Sequence, residues 1–282
     1  MPEMKTKRVI MLSDVHLCHL NWFGMTSEQR LDKMIKELNE DYEKSPYDMV
    51  LFLGDYSLDF WVCAEGGSYL NPGHISNTAN IIKKYFSQLP APFYMLPGNH
   101  EQYAPETWKA IVGTDRYFTV PYGPYVFIML DTFSGHLGPD FHSDGTYEPV
   151  KVDYVKKIMA ENPGKKFFLC AHDFYVGQET QEFKDLLADP DILCLFAGHT
   201  HESRIFSLGA EFHNKCLVRT GNYAYSHAFE GQFASWGWRE LICEDDQKRV
   251  KTEYLLPETK YIVKGEQRSH EAFRRDGIEL RY

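Results

Sequence analysis

The sequence holds no CxxC pair and no closely spaced cysteine framework: Cys18, Cys63, Cys170, Cys194, Cys216 and Cys243 are scattered along 282 residues. That excludes a thiolate zinc site and a disulfide-stapled scaffold, and it points to a reducing compartment. Cys170 and Cys194 lie inside apolar runs and read as small core residues. No apolar run approaches the ~20 residues that a membrane-spanning helix needs, so no membrane span is expected. A leader peptide is not expected either, because the run VIML after MPEMKTKR is far shorter than a secretory apolar core. The expected location is cytoplasmic. Basic residues are in deficit, with 30 Lys and Arg against 40 Asp and Glu and a net charge of -10. A surface of that sign argues against binding long nucleic acid through general phosphate contact. A small phosphate ligand stays open, since bound metal ions can make one site positive inside a negative protein. Internal repeats and low-complexity segments are absent too, leaving an ordinary globular organisation.

What is present fits one large domain, or two small ones, with a sizeable core: 43% of residues are hydrophobic and 25% charged. The first two thirds alternate between strand and helix patterns. Val9–Leu12, Met49–Leu53, Phe93–Leu96, Tyr125–Leu130, Phe167–Cys170 and Ile192–Phe196 are short apolar runs of strand length. Thr26 and Gln29 form a capping box ahead of Leu31, Met34, Ile35 and Leu38 at helical spacing. A second helix is expected through Ile81, Ile82, Tyr85, Phe86 and Leu89, stopped by Pro90. A third begins at Pro149, and a short one covers Glu182–Ala188. From Ser203 onward the pattern shifts to short strands near 203–208, 216–220, 236–243 and 249–255, read as an antiparallel meander. The domain is drawn as residues 1–263, with an inserted loop at 56–76 and a C-terminal tail or surface strap at 264–282. Alternating βα units followed by hairpins give an α/β fold with mixed sheets.

Five polar clusters stand at the ends of these strands. Asp14-Val15-His16 follows VIML, Gly54-Asp55 follows MVLFL, and Gly98-Asn99-His100-Glu101 follows FYML and Pro97. His172 follows KFFLC and Ala171, and Gly198-His199-Thr200-His201 follows ILCLF and Ala197. In open α/β sheets ligands bind beyond the carboxyl ends of the strands, so five strands deliver Asp, His and Asn to one rim. Carboxylate, imidazole and amide oxygen suit zinc, manganese or iron. Seven such ligands are too many for one tetrahedral ion and suit two ions that share Asp55.

The ordered set DxH, GD, GNHE, H, GHTH over residues 8 to 222 resembles the calcineurin-like metallophosphoesterase superfamily. Within it, GNHE and GHTH look most like the bacterial cyclic-nucleotide phosphodiesterase-like group. The resemblance implies a double mixed-sheet α/β/β/α sandwich and two divalent or mixed-valence ions, with manganese, iron or zinc expected. It implies that Asp14, His16 and His201 hold one ion, that Asn99, His172 and His199 hold the other, and that Asp55 bridges them. His100 corresponds to the proton donor to the leaving group. Many members carry an acid three positions after the bridging Asp to orient that histidine; here Leu58 stands there, and Asp59 is the nearest candidate. Many also follow the histidine at position 172 with Pro, where this chain has Asp173. Asn99, His100, Asn222 and Tyr223 are the substrate-side candidates.

The function expected is hydrolysis of small phosphodiesters by a metal-bridging hydroxide. A phosphomonoesterase, a short-oligonucleotide nuclease and a non-catalytic scaffold on the same fold are the alternatives. A scaffold would be expected to have lost ligands, whereas all seven are here. The substrate is a small phosphoester, and the sequence does not define an oligomeric state.

Overall fold

In a computed structural model the apolar runs pair into two large sheets. The structure describes residues 7–18, 20–22, 24–60, 76–137, 144–224, 233–234, 236–255, 260–263, 266–269 and 277–282. Strands β1 (Lys7–Leu12), β2 (Met49–Leu53) and β3 (Phe93–Leu96) run parallel side by side. Helix α1 (Ser27–Lys44) connects the first two and starts at the expected capping box, with Thr26 N donating to Gln29 Oε1 at 2.8 Å. Its buried stripe of Leu31, Met34, Ile35 and Leu38 packs with Ile10, Leu12, Val50 and Phe52. Each such buried side chain contributes ~1.5–3 kcal/mol relative to exposure.

The second helix is shorter than its apolar spacing predicts. Helix α2 (Asn77–Lys84) stops before Tyr85, and a tighter 3-10 turn spans Phe86–Gln88. In that turn Phe86 stacks on Phe52 with ring centroids 3.9 Å apart, a contact that fixes the chain's path toward Pro90.

Helix α3 (Pro105–Val112) and strand β4 (Phe118–Tyr122) carry weak patterns and were not expected. The helix begins at a proline, ends at Gly113 with φ +88°, and buries only Trp108. The strand is an edge carrying Pro121. Beside it lie β5 (Tyr125–Leu130), β6 (Lys166–Ala171) and β7 (Ile192–Ala197), parallel to one another. Helices α4 (Val152–Glu161) and α5 (Gln181–Leu186) cover their outer face, where Val155 and Phe183 join Ile128, Leu169 and Leu195.

The single meander expected after Ser203 is divided between the two sheets. Strands β8 (Ile205–Ser207) and β9 (Cys216–Arg219) form a hairpin, and β9 then runs parallel to β7 in the second sheet. The chain next forms β10 (Phe233–Ala234), which joins β13 (Lys260–Val263) and β14 (Glu266–Ser269) in a small antiparallel sheet. Strands β11 (Trp238–Glu244) and β12 (Arg249–Leu255) join the first sheet, where β11 pairs antiparallel with β1. The division has a packing cause: Leu241, Cys243 and Val250 meet Val9, Met11, Phe127 and Phe168 in the layer between the sheets. Strand β15 (Gly277–Arg281), within the stretch read from sequence as tail or strap, pairs with β12 as an edge strand.

The result is an α/β/β/α sandwich, with sheet orders β15-β12-β11-β1-β2-β3 and β4-β5-β6-β7-β9-β8. Cys18, Cys170, Cys194, Cys216 and Cys243 are free thiols. Among the described residues no helix is long and apolar enough to cross a membrane. Residues 61–75 of the inserted loop, with Trp61, Cys63 and Tyr69, lie outside the described residues, as do His19 and His142.

Candidate metal centre

The five clusters meet where β1, β2, β3, β6 and β7 end. Past the strands the β1–β2 ladder continues through Asp14 N to Gly54 O at 3.0 Å and Leu17 N to Tyr56 O at 2.8 Å. This carries Asp14, His16 and Asp55 forward as one unit. Five site residues hold left-handed backbone: Asp14 (φ +54°), His16 (+43°), Asp55 (+60°), His199 (+69°) and His201 (+56°). Such conformations cost on the order of 1–3 kcal/mol each and persist only where the surroundings enforce them.

Buried polar side chains supply that enforcement. Arg30, fully buried on α1, donates to Val15 O at 3.1 Å, to His16 O at 3.2 Å and to Tyr223 O. The Glu101 carboxylate accepts from Asp55 N and Gly98 N at 2.8 Å and from Tyr56 N at 2.9 Å. Arg219 donates to Gly198 O at 2.7 Å and pairs with Asp173 at 2.6 Å, tying the turn after β6 to the turn after β7. Gly98 has to be glycine, because a Cβ there would lie 2.2 Å from Asp55 Oδ1. Glu101→Ala is expected to lower stability by at least ~1–3 kcal/mol, since it strands buried N–H donors. It should also weaken activity by freeing the Asp55 turn. An unchanged thermal melt would refute this role for Glu101.

Four of the ligand candidates, Asp14, Asp55, His172 and His199, have one atom anchored and another directed inward. Asp14 Oδ2 accepts from His199 N at 2.9 Å and from the Ser13 hydroxyl, while Oδ1 is buried and makes no hydrogen bond of good geometry. That oxygen faces His201 Nε2 at 3.2 Å and the Nε2 atoms of His16 and His172 at 3.9 Å. Asp55 Oδ1 accepts from His100 N at 3.2 Å, and Oδ2 lies 3.1 Å from His172 Nε2 and 3.8 Å from His16 Nε2. His172 Nδ1 bonds Leu53 O at 2.6 Å, which leaves Nε2 for the interior. His199 Nε2 bonds the Tyr175 hydroxyl at 2.9 Å, which leaves Nδ1, 3.0 Å from Asn99 Oδ1. Asn99 Oδ1 is also 2.9 Å from His172 Nε2.

Two overlapping groups result, each compact enough to hold a metal ion: Asp14, His16, Asp55 and His201, and Asp55, His172 and His199. The fit to a cation is chemical as well as geometric. Burial opposes ionisation of Asp14, yet His201 and His172 hold its carboxyl at about 2. Burial likewise opposes ionisation of Asp55, and His172 and His100 bring it well below the usual carboxylate range. Burial holds His16 and His199 below the ordinary imidazole value, which keeps lone pairs free. His172 is the exception: against the pull of burial, Asp55 raises it to about 10, so a metal ion would compete there with a proton.

Other site expectations land elsewhere. Asp59 does not reach His100; its carboxylate accepts from Tyr103 Oη, from Ser76 Oγ at 3.3 Å and from Asn77 N at 2.9 Å, bracing the start of α2. Asn222 Nδ2 donates to His201 O and its Oδ1 accepts from Ala224 N at 2.8 Å, so both polar ends hold backbone rather than substrate. The Tyr223 hydroxyl donates to Glu37 at 2.8 Å, on the helix side. Tyr56 and Tyr103 are core residues, whereas Tyr175 is half-buried beside His199 and stacks on Tyr147 at 4.4 Å. Sequence reasoning missed the roles of Arg30, Glu101 and Arg219. Glu101 stood in a noted motif, but Arg30 on a helix reads like any solvated charge.

A two-sheet sandwich with an Asp/His cluster able to bind metal at its strand ends defines a class of metal-dependent hydrolases. The calcineurin-like phosphoesterase family model matches residues 7–203, and the chain belongs to that family. It is a metal-dependent phosphoesterase. Among solved structures it is similar to the purple acid phosphatase PPD1 from yellow lupin (Lupinus luteus) seeds, at 13% identity and TM-score 0.55. That match covers 99% of this chain and 54% of the lupin chain, so this chain spans about half the length of that enzyme. It is also similar to GAP50, the anchor in the inner membrane complex of Plasmodium (11% identity, TM-score 0.56, 94% of this chain and 88% of that one). A phosphatase from Mycoplasma pneumoniae matches at 12% identity and TM-score 0.51, covering 96% and 97% of the two chains. At these identities the likeness is one of fold. No curated protein matches the chain.

Proposed function

We propose that the chain hydrolyses small phosphodiesters at a dinuclear centre, with Asp14, His16 and His201 around one ion and Asn99, His172 and His199 around the other. Asp55 serves both. The observation that carries this reading is Asp55, which belongs to both ligand groups and whose Oδ2 lies 3.1 Å from His172 Nε2 and 3.8 Å from His16 Nε2. Imidazole, carboxylate and amide donors suit manganese, iron or zinc. Such a pair, when bound, supplies Lewis acidity toward phosphoryl oxygens and acidifies water. The chain's own residues orient the reaction and deliver the proton. His100, with a side chain 14% exposed, stands at the rim with Nε2 3.7 Å from Asp55 Oδ2. Water adds to phosphorus, gives up one of its two protons to solvent, and the bond to the leaving oxygen breaks. The electron pair stays on that oxygen, which takes the proton from His100 Nε2. A phosphomonoester and an alcohol result.

The preference for diesters is electrostatic. A monoester dianion carries a further charge that sites commonly meet with a guanidinium or ammonium group. Arg30 and Arg219 are committed to backbone carbonyls and Asp173, and Arg204 is exposed and lies over the Phe206 ring at 4.9 Å. None of these three offers its charge to the centre. The aromatic pair Tyr147 and Tyr175 provides a flat wall for an ester arm. Rates on bis-nitrophenyl phosphate are expected to exceed those on nitrophenyl phosphate with manganese, zinc or iron. A monoester advantage of about tenfold or more in kcat/KM with every metal, about 1.4 kcal/mol in transition-state binding, would replace this reading with a phosphatase.

A further inference from the structure

We propose that Asp144 is the positioning residue for His100, a task that neither Leu58 nor Asp59 performs. Asp144 Oδ1 lies 3.3 Å from His100 Nδ1, while the opposite ring nitrogen faces Asp55. The imidazole therefore spans from a loop carboxylate to the centre. A carboxylate beside Nδ1 holds the ring rotation and favours the imidazolium, whose Nε2–H is then directed at the leaving oxygen.

The loop that carries Asp144 is anchored to the residue before His100. Gly145 N donates to Asn99 O at 2.7 Å, and Glu148 N donates to Thr132 O at 2.9 Å. The approach at Gly145 is close: a Cβ would sit 3.0 Å from Asn99 O and 3.1 Å from Phe133 O. The carboxylate and the imidazole are thus referenced to the same short stretch of backbone. Asp59, by contrast, is buried on Tyr103, Ser76 and Asn77. Asp144 comes from the connection between β5 and α4, so the positioning group belongs to the second sheet's side of the site. Its side chain is 56% exposed, which makes its contribution one of orientation rather than of strong ion pairing.

The inference rests on the reading of His100 as proton donor, and the test separates the two. Asp144→Asn should lower kcat on a dialkyl phosphate by ~10–100-fold, the usual size of an orienting-partner effect. KM should change little, and bis-nitrophenyl phosphate should lose only a few-fold. Asp144→Glu should recover part of the loss. In a His100→Asn background Asp144→Asn should cost nothing further, because the two act as a unit. Gly145→Ala, which displaces the loop without removing the carboxylate, should reproduce the selective loss. Equal losses on alkyl and aryl esters, or a loss that persists without His100, would overturn the assignment. A readout independent of turnover is the 15N imidazole spectrum of the protein, as purified and with added zinc. The His100 Nδ1 resonance, identified by its absence in His100→Asn, should move in Asp144→Asn. An unmoved resonance removes Asp144 from the role even if phosphodiester hydrolysis stands. A moved resonance in a protein without diesterase activity retains the pair and discards the substrate reading.

Discussion

Asp55→Asn is expected to lose on the order of 10³-fold in kcat/KM and to hold fewer than two ions per chain. The wild-type protein, replete with manganese, iron or zinc, should hold two. The isostere keeps the local fold, because an amide oxygen can still accept from His100 N as Asp55 Oδ1 does at 3.2 Å. It removes the anionic charge at the point common to both ligand groups. His16→Ala, which touches one group only, should cost less. Elemental analysis of metal-replete protein, run beside kinetics for both variants, decides the matter. Two ions in Asp55→Asn, or a smaller loss than in His16→Ala, would contradict the shared role.

His100→Asn should behave in the opposite sense, retaining both ions while turning over slowly. His100 belongs to neither ligand group, so metal content has no reason to fall. A general acid contributes ~10²–10⁴-fold, and that is the expected loss on alkyl diesters. Nitrophenolate departs without much help from a proton, so aryl diesters should lose far less. Equal losses on the two ester types would mean that His100 acts on binding or on the centre itself. Reduced metal content would mean the same.

Much of this site was legible because its chemistry is written in short runs at strand ends. Asp14, His16, Asp55, Asn99, His172, His199 and His201 each follow an apolar run that became a strand, and the parallel order brings those ends together. What supports them was not legible. Arg30 sits 15 residues from Val15, and Arg219 lies 21 residues from Gly198, contacts that no local pattern encodes. Asp59 misled because proximity in sequence to Asp55 stood in for direction; the carboxylate instead serves the start of α2, where Ser76 and Asn77 need an acceptor. Asn222 and Tyr223 bond the backbone of His201 and Asp14, yet their side-chain polar atoms face scaffold, a matter of side-chain direction that residue type does not disclose. In the fold, Met49–Leu53, Phe93–Leu96 and Tyr125–Leu130 kept their limits and the other three apolar strands are longer by one or two residues, whereas α3 and β4 escaped notice because each buries so little. The splitting of the last strands between two sheets depends on which edge is left open, and that is a property of the assembled sheet.

The central place of β1 has a consequence for how the protein is made. Its partner on one side, β2, follows within a few dozen residues, but its partner on the other side is β11, with Val9 opposite Leu241. At ~5–20 residues per second, the ribosome takes roughly ten to fifty seconds to reach that partner. Until then the run VIML has an unpaired side, the kind of edge on which chains aggregate. Lys7 and Arg8 open that strand with charge, and Arg8 becomes buried against Asp41 and Glu240 only once β11 arrives. The segment matching the family, residues 7–203, ends before this closure. A polypeptide cut there would carry every proposed metal ligand and still lack the strand that completes the first sheet.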